Sequence, residues 1–284
     1  MYNFLRQIFF FKPLEWLLVK LTQGVVYGSF MTKLPPNHYQ YSKNTIRTVT
    51  RNGIKYILDI SDMVEWYIYF GFKEPSRQSL YKLIHKGYTF FDIGTNIGEV
   101  SLNAAKRVMD GQVYSFEPDK ENFKKLQQNL KLNNYKNIHP INKGLGDKSD
   151  ILQIEVFDQK NKGMNRIVNN PNNSDSTFSI EIITLDQFIE ENKVNKIDLI
   201  KIDVEGYEMR VLLGAKKSIA DFKPTFFIEI DDNNLKRQNN SARELIQFLE
   251  NRNYNIKNCE TGNLITSNSN FNNCHFDIIC INQG

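Results

Sequence analysis

The sequence predicts a doubly wound α/β fold, a mostly parallel sheet with helices on both faces. Three observations carry this. From Tyr88 onward, short unbroken apolar runs alternate with helix-length periodic stretches, the pattern of strands buried on both faces and joined by crossover helices. The unusual polar residues of that region fall at the ends of the apolar runs, where such sheets bind their ligands. The 284 residues are 40% hydrophobic and 24% charged, so a sizeable core is within reach and neither disorder nor a disulfide or metal staple is implied.

The first 30 residues are apolar in pieces, Ile8 to Phe11 and Leu14 to Val19, broken by Lys12, Pro13, Glu15 and Lys20. No run is long enough to span a bilayer, and no small-residue cleavage pattern follows. The stretch reads as a helix packed on the main domain or as a basic, aromatic helix lying on a membrane surface. Residues 1–50 are accordingly set apart as an N-terminal helical extension, 51–87 as a lead-in segment packed on the core, and 88–284 as the main domain. Tyr67, Tyr69, Phe70 and Phe72 of the lead-in read as packed core rather than as an aromatic ligand wall.

In the main domain, Thr89–Ile93 (TFFDI) is a buried strand followed by a helix from about Gly98 to Met109. A second strand, 112–117, precedes a helix over 119–132 with Phe123, Leu126 and Leu130 at helical spacing. Residues 138–141 make a third strand, and 152–156 and 181–183 extra edge strands around an Asn-rich loop at 158–178. Residues 197–204 (IDLIKIDV) make the fourth parallel strand, before a helix over 207–218; 225–230 make the fifth, before a helix over 241–251. Short strands at 254–257 and 276–281 close the sheet as an antiparallel pair.

Composition narrows the function. A net charge of +4 is too mild for a nucleic-acid binder. The 34 asparagines crowd into 161–173, 233–240 and 251–273, where Asn reads as loop and turn chemistry. Cys259, Cys274 and Cys280 contain no C-x-x-C pair, and the four histidines have no ligand spacing. No disulfide framework, zinc site or other metal ligand set is read from them, and a reducing, cytoplasmic setting fits. Cys280 reads as a small buried hydrophobe.

Three clusters at strand ends carry the chemistry. Asp92, Gly94, Thr95, Asn96 and Gly98 form D-x-G-x-x-x-G, a tight turn that opens a helix and leaves N–H groups free for a ligand. It is neither the G-x-G-x-x-G of a dinucleotide fold nor a Walker loop. Glu117 ends the second strand, 23 positions after Gly94, where a carboxylate accepts from both hydroxyls of a ribose. Asp203 closes the fourth strand, with Glu205 just beyond it. Two carboxylates so close raise one pKa if both are buried, which suits a proton acceptor. Glu208 reads as a helix N-terminal acid, and Glu229, near the end of the fifth strand, as a further acidic candidate.

The ordered set FFDIGTNIG, YSFEPDKENFKKLQQNL, ITLDQF, DLIKIDVEGYEMRVLLGA and PTFFIEI resembles the FkbM family of S-adenosylmethionine-dependent methyltransferases over about 88–231, and 51–75 resembles its leading segment. The resemblance implies a Rossmann-like class I methyltransferase fold with a seven-stranded sheet and a closing antiparallel strand. It implies that Asp92, Gly94 and Gly98, with Thr95 and Asn96 between them, hold the methionine and ribose part of S-adenosylmethionine, and that Glu117 is the ribose ligand. It places Leu145 against the adenine, although Lys143-Gly144-Leu145-Gly146-Asp147 stands where the family usually has Ala-Leu-Ser-Asp. Asp203 matches the acidic residue beside the reacting end.

The resulting expectation is O-methyl transfer to a hydroxyl, of a sugar in a cell-surface glycan or of a secondary metabolite. Asp203 is the first candidate base, with Glu205 and Glu229 next. Residues 158–178 and 231–240 are the expected lids or acceptor walls. The competing readings are a nicotinamide-dependent oxidoreductase, which the missing third glycine disfavours, and a non-catalytic glycan-assembly partner. The expected partners are a small-molecule or glycan acceptor and, through the N-terminal helix, the inner face of a membrane.

Overall fold

In the computed structural model, which describes residues 6–155, 166–168 and 177–284, the N-terminal extension is clamped onto the lead-in segment. Helix α1 (Lys12–Thr22) turns Glu15, Leu18, Val19 and Thr22 inward, one helical face. Glu15 accepts from Arg47 Nε at 2.7 Å and Tyr69 Oη at 2.6 Å, and Thr22 Oγ1 donates to the Phe70 carbonyl at 2.7 Å. Strands β1 (Ile46–Arg51) and β2 (Ile54–Asp59) form an antiparallel hairpin across the 50/51 division. Its turn is Asn52-Gly53, both left-handed (φ 51° and 80°), as a two-residue hairpin requires.

Helix α2 (Met63–Phe70) starts on the Asp62 side chain, which accepts from two backbone N–H groups, and stops at left-handed Gly71. Helix α3 (Pro75–Leu83) begins with proline, whose missing N–H is not needed there. Tyr69 and Phe70 are buried beside Tyr56, Trp66, Phe90 and Leu102, so the lead-in aromatics are core, with Tyr67 and Phe72 at its margin.

The main domain follows as β3 (Thr89–Ile93), α4 (Glu99–Val108), β4 (Gln112–Phe116), α5 (Lys120–Lys131) and β5 (Ile138–Ile141). Then come β6 (Gly144–Leu145), β7 (Asp150–Glu155), β8 (Arg166–Val168), β9 (Thr177–Ile183), α6 (Leu185–Glu191), β10 (Leu199–Ile202), α7 (Glu208–Leu213) and α8 (Lys216–Phe222). The chain continues through β11 (Thr225–Asp231), α9 (Asp232–Arg237), α10 (Ala242–Glu250), β12 (Tyr254–Asn258) and β13 (His275–Asn282).

Seven strands make the main sheet in the order β12-β13-β11-β10-β3-β4-β5. Strand β13 is antiparallel to both β11 and β12, while β3, β4, β5, β10 and β11 pair in parallel. The expected fold is therefore present, with the last strand of the chain inserted beside β11 rather than at the edge. Cys280 of β13 is fully buried.

Three local expectations need correction. The segments 152–156 and 181–183 do not extend the main sheet: β7 and β9 belong to a separate four-stranded sheet, order β6-β9-β7-β8. Gly144 permits this, because a Cβ there would press into the Ile182 side chain. The single helix expected over 207–218 is two helices, broken at Gly214, where a Cβ would collide with the Gly146 carbonyl. Two backbones meet there, and only glycine fits. Finally, Asn233 and Asn234 sit in a helix rather than a loop, because Asp231 caps α9 by accepting from both of their N–H groups (2.9 and 3.0 Å). Asn239, Asn253 and Asn273 do have left-handed φ, as do Asn44, Asn52 and Asn96 outside the Asn-rich stretches, whereas Asn255 and Asn258 lie in β12. The loop expected at 158–178 lies outside the described residues apart from 166–168 and 177–178. No helix among the described residues is long and apolar enough to cross a membrane.

Candidate active site

Strand order reverses between β3 and β10, and a cavity of about 580 Å³ opens beyond their carboxyl ends, the place where α/β sheets bind ligands. Gly94, first after β3, is left-handed (φ 80°), and a Cβ on it would run into the Asp203 carbonyl oxygen. The N–H groups of Gly94 and Thr95 donate to the Phe116 carbonyl at 3.0 and 3.1 Å, which turns the loop across the end of β4. Gly94, Thr95 and Asn96 line the cavity. Gly98 instead stands behind the loop as the left-handed N-cap of α4, where a Cβ would collide with Leu126 of α5.

Asp92 is also behind the wall, fully buried. Its Oδ2 accepts from Thr95 Oγ1 at 2.8 Å and Ser101 Oγ at 2.6 Å, and its Oδ1 lies 3.5 Å from Lys201 Nζ. Register explains the pair, since Lys201 is directly across from Asp92 on the neighbouring parallel strand. The buried ammonium also donates to the Gly94 carbonyl at 2.9 Å and reaches Asp203 Oδ2 at 3.1 Å. Burial works against its charge, but Asp203 and Asp92 outweigh that and hold Lys201 above its ordinary value. One lysine thus ties the glycine loop to both strand-end acids.

At the other end of the cavity Glu117 accepts from the Asn96 N–H at 2.8 Å and the Asp119 N–H at 3.0 Å. Burial pushes its carboxyl up to about 8. Beside it Leu145, Ile154, Ile180 and Ile182 line an apolar slot, all four on strands of the small sheet. The Gly-rich departure at 143–147 is what lets β6 pair with β9 and deliver that wall. A flat heterocycle next to a carboxylate that faces sugar hydroxyls suits this end.

The remaining end is acidic. Asp203, Glu205 and Glu229 each place one carboxylate oxygen within 4.8 Å of the others, a grouping that could hold a cation and for which the sequence offers no decisive ligand set. Asp203 is open to the cavity, its side chain 41% exposed. Glu205 is held in the left-handed region (φ 53°), which costs a non-glycine residue roughly 1–3 kcal/mol. Glu208 holds that turn from behind by accepting from the Val204 and Gly206 N–H groups at 3.2 and 3.0 Å; it is buried and faces no ligand. Asn234 donates to Glu205 at 2.9 Å. Glu229 lies directly across from Asp277, and Asp231 from His275, on the antiparallel strands β11 and β13. His275 Nε2 sits 3.0 Å from Glu229.

These groups share one sign of pH dependence. Burial, with Glu229 and Asp203 adding to it, pushes Glu205 up to about 9 and Asp277 to about 7. Burial pushes Glu208 up to about 8, as it does Glu117. The folded protein holds protons that the unfolded chain releases above about pH 4.5, so each acid lowers stability as pH rises toward its folded value. His275, raised to about 9 by its hydrogen bond to Glu229, contributes stability below its unfolded value of 6.5 that is lost as pH climbs through 9. The melting temperature of the cofactor-free protein is expected to fall steadily from pH 5 to pH 9. A flat or rising profile over that window contradicts the assignment.

Every candidate residue named from the sequence therefore converges on this cavity, eight on its wall and Asp92 and Gly98 immediately behind. The sequence reading missed Lys201, although a lysine within the run LIKI of a buried strand signals a partnered buried charge. It also missed Asp277 and His275, which reach the site only because β13 inserts next to β11. Arg77 was missed too; it lines the cavity between Glu74, at 2.6 Å, and Glu99.

Residues 92–256 match the methyltransferase FkbM domain, more than half of the chain. The chain is 26% identical over 129 residues to the hexuronic acid methyltransferase AglP of Haloferax volcanii, covering 45% of this chain and 50% of that protein. It is 24% identical over 158 residues to Methyltransferase 1 of Beauveria bassiana, covering 50% of this chain and 64% of the other. The chain thus spans between half and two thirds of the length of these curated relatives. A crystal structure of the FkbM methyltransferase of Methylobacillus flagellatus aligns at 18% identity with a TM-score of 0.42, covering 75% of this chain and 52% of that one.

Proposed function

Because the chain belongs to the FkbM methyltransferase family, we propose that it moves a methyl group from S-adenosylmethionine to a hydroxyl oxygen of a sugar. The observation that carries this reading is the polarity of the cavity beyond β3 and β10, an apolar slot beside Glu117 at one end and Asp203 with its acidic neighbours at the other.

The residues fit the cofactor. Gly94 packs so tightly on the Asp203 carbonyl that no Cβ fits, which holds the Gly94–Asn96 backbone along the cavity wall; Leu145 and the small-sheet isoleucines cover the base, and Glu117 faces the ribose hydroxyls. When bound, S-adenosylmethionine supplies an electrophilic methyl carbon on a positively charged sulfur. The chain's work is to align the acceptor with that carbon, exclude water and take a proton. Asp203, exposed to the cavity, removes the hydroxyl proton as the acceptor oxygen attacks. Lys201 fixes the Asp203 carboxylate from behind. Glu205, raised by burial, is protonated at neutral pH and donates a hydrogen bond to the acceptor.

The name of the Haloferax volcanii relative favours a sugar acceptor. So does the composition of the acceptor wall, where Asp231, Asn233, Asn234 and Arg237 offer donors and acceptors to neighbouring hydroxyls. The test is transfer of a labelled methyl group to a panel of glycans, uronic acids, lipid-linked sugars and hydroxylated metabolites. The expected product is an alkali-stable methyl ether. A base-labile methyl ester or an N-methyl product would replace the hydroxyl acceptor. Absence of transfer together with absence of S-adenosylmethionine binding by calorimetry would remove the donor as well.

A further inference from the structure

Among the described residues, the exposed large apolar side chains crowd into one part of the chain. Ile8, Phe11, Trp16, Leu17, Leu21 and Phe30 are 46–72% exposed. On α1 this follows from helical spacing: Glu15, Leu18, Val19 and Thr22 take the inward face, which leaves Trp16, Leu17 and Leu21 outward. An apolar group of this size is unusual on a protein surface that meets only water.

The charges along this part of the sequence are nearly all of one sign. Residues 1–58 contain eight bases and a single acid, Glu15, and that acid is buried and paired with Arg47. Lys12 and Lys20 are exposed beside the apolar side chains, and Lys20 Nζ lies 3.6 Å over the Trp16 ring. Eleven residues of helix are too few to cross a bilayer. They are enough to lie along one, aromatic rings at the headgroup boundary and lysines reaching lipid phosphates.

We propose that the outer face of residues 8–30 docks on an anionic lipid surface, with Phe11, Trp16 and Phe30 as the inserted anchors and Lys12 and Lys20 as the phosphate contacts. The packed inner face holds α1 to the domain, so docking fixes the whole protein at the membrane. This surface is separate from the cavity, and its test is independent of any methyl transfer.

The full chain is centrifuged with vesicles of equal parts phosphatidylglycerol and phosphatidylcholine, and with phosphatidylcholine alone. Binding is expected to be at least roughly tenfold stronger on the anionic vesicles and to weaken with salt. Fluorescence gives a second readout, because Trp66, the other tryptophan, is buried, so a vesicle-induced blue shift reports Trp16. The double variants Trp16→Glu/Phe30→Glu and Lys12→Glu/Lys20→Glu should each lose roughly tenfold in vesicle binding, with unchanged melting temperature and unchanged calorimetric binding of S-adenosylmethionine. Three results overturn the proposal: wild-type protein that ignores anionic vesicles, variants that bind them like wild type, or a wild-type dimer in gel filtration that the Trp16→Glu/Phe30→Glu variant dissociates.

Discussion

Asp203→Asn should lower the turnover of methyl transfer by roughly 10²–10⁴-fold, the span for removing a positioned general base. The substitution is nearly isosteric, and its carbonyl oxygen can still accept from Lys201, 3.1 Å away in the native protein. The backbone contacts also stay: the Asp203 N–H donates to the Ile93 carbonyl at 3.1 Å, and Gly94 approaches the Asp203 backbone carbonyl, not its side chain. What is lost is the capacity to take a proton. Labelled-methyl transfer gives kcat, calorimetry gives the S-adenosylmethionine affinity, and thermal melting checks the fold. Unimpaired kcat with weakened cofactor binding would make Asp203 a ligand of the donor and pass the proton-acceptor role to Glu229.

Lys201→Met should destabilise the fold by about 3–5 kcal/mol, the usual effect of removing one partner of a buried ion pair. The lysine side chain is 7% exposed and that of Asp92 0%. Methionine fills similar space, so little of the loss arises from packing. It arises because Asp92 keeps two hydroxyl donors on Oδ2 but loses the ammonium facing Oδ1. Adding Asp92→Asn removes the stranded charge and should recover a large part of the stability. Urea unfolding of both single variants and the double variant closes the cycle. A double variant no more stable than Lys201→Met would mean that the lysine acts through Asp203 and the Gly94 carbonyl instead.

Much of the site was legible in the sequence because its parts are local. Gly94 and Gly98 are forced by positive φ and close approach, and Glu117 and Asp203 sit at the ends of apolar runs whose direction is fixed by the parallel sheet. Lys201 escaped notice for a different reason. Alternation assigns it a face, but only register places it across from Asp92. The apolar wall of Ile154, Ile180 and Ile182 was hidden more deeply, since their strands read equally well as edges of the main sheet.

The sequence by itself determined the elements and the fold class, because apolar periodicity, caps and turn residues act over a few positions along the chain. It also determined that three polar motifs lie at strand ends. Tertiary structure alone decided which side chains share the cavity. Inserting β13 between β11 and β12 sets Asp277 beside Glu229 and His275 beside Asp231, and folding β6, β7 and β9 into their own sheet turns isoleucines toward Leu145. Those choices depend on pairings between segments far apart in the chain, whose energies come from packing that no local pattern encodes. The N-terminal helix shows the same division: its spacing defined two faces, and only the assembled core decided which face remained exposed.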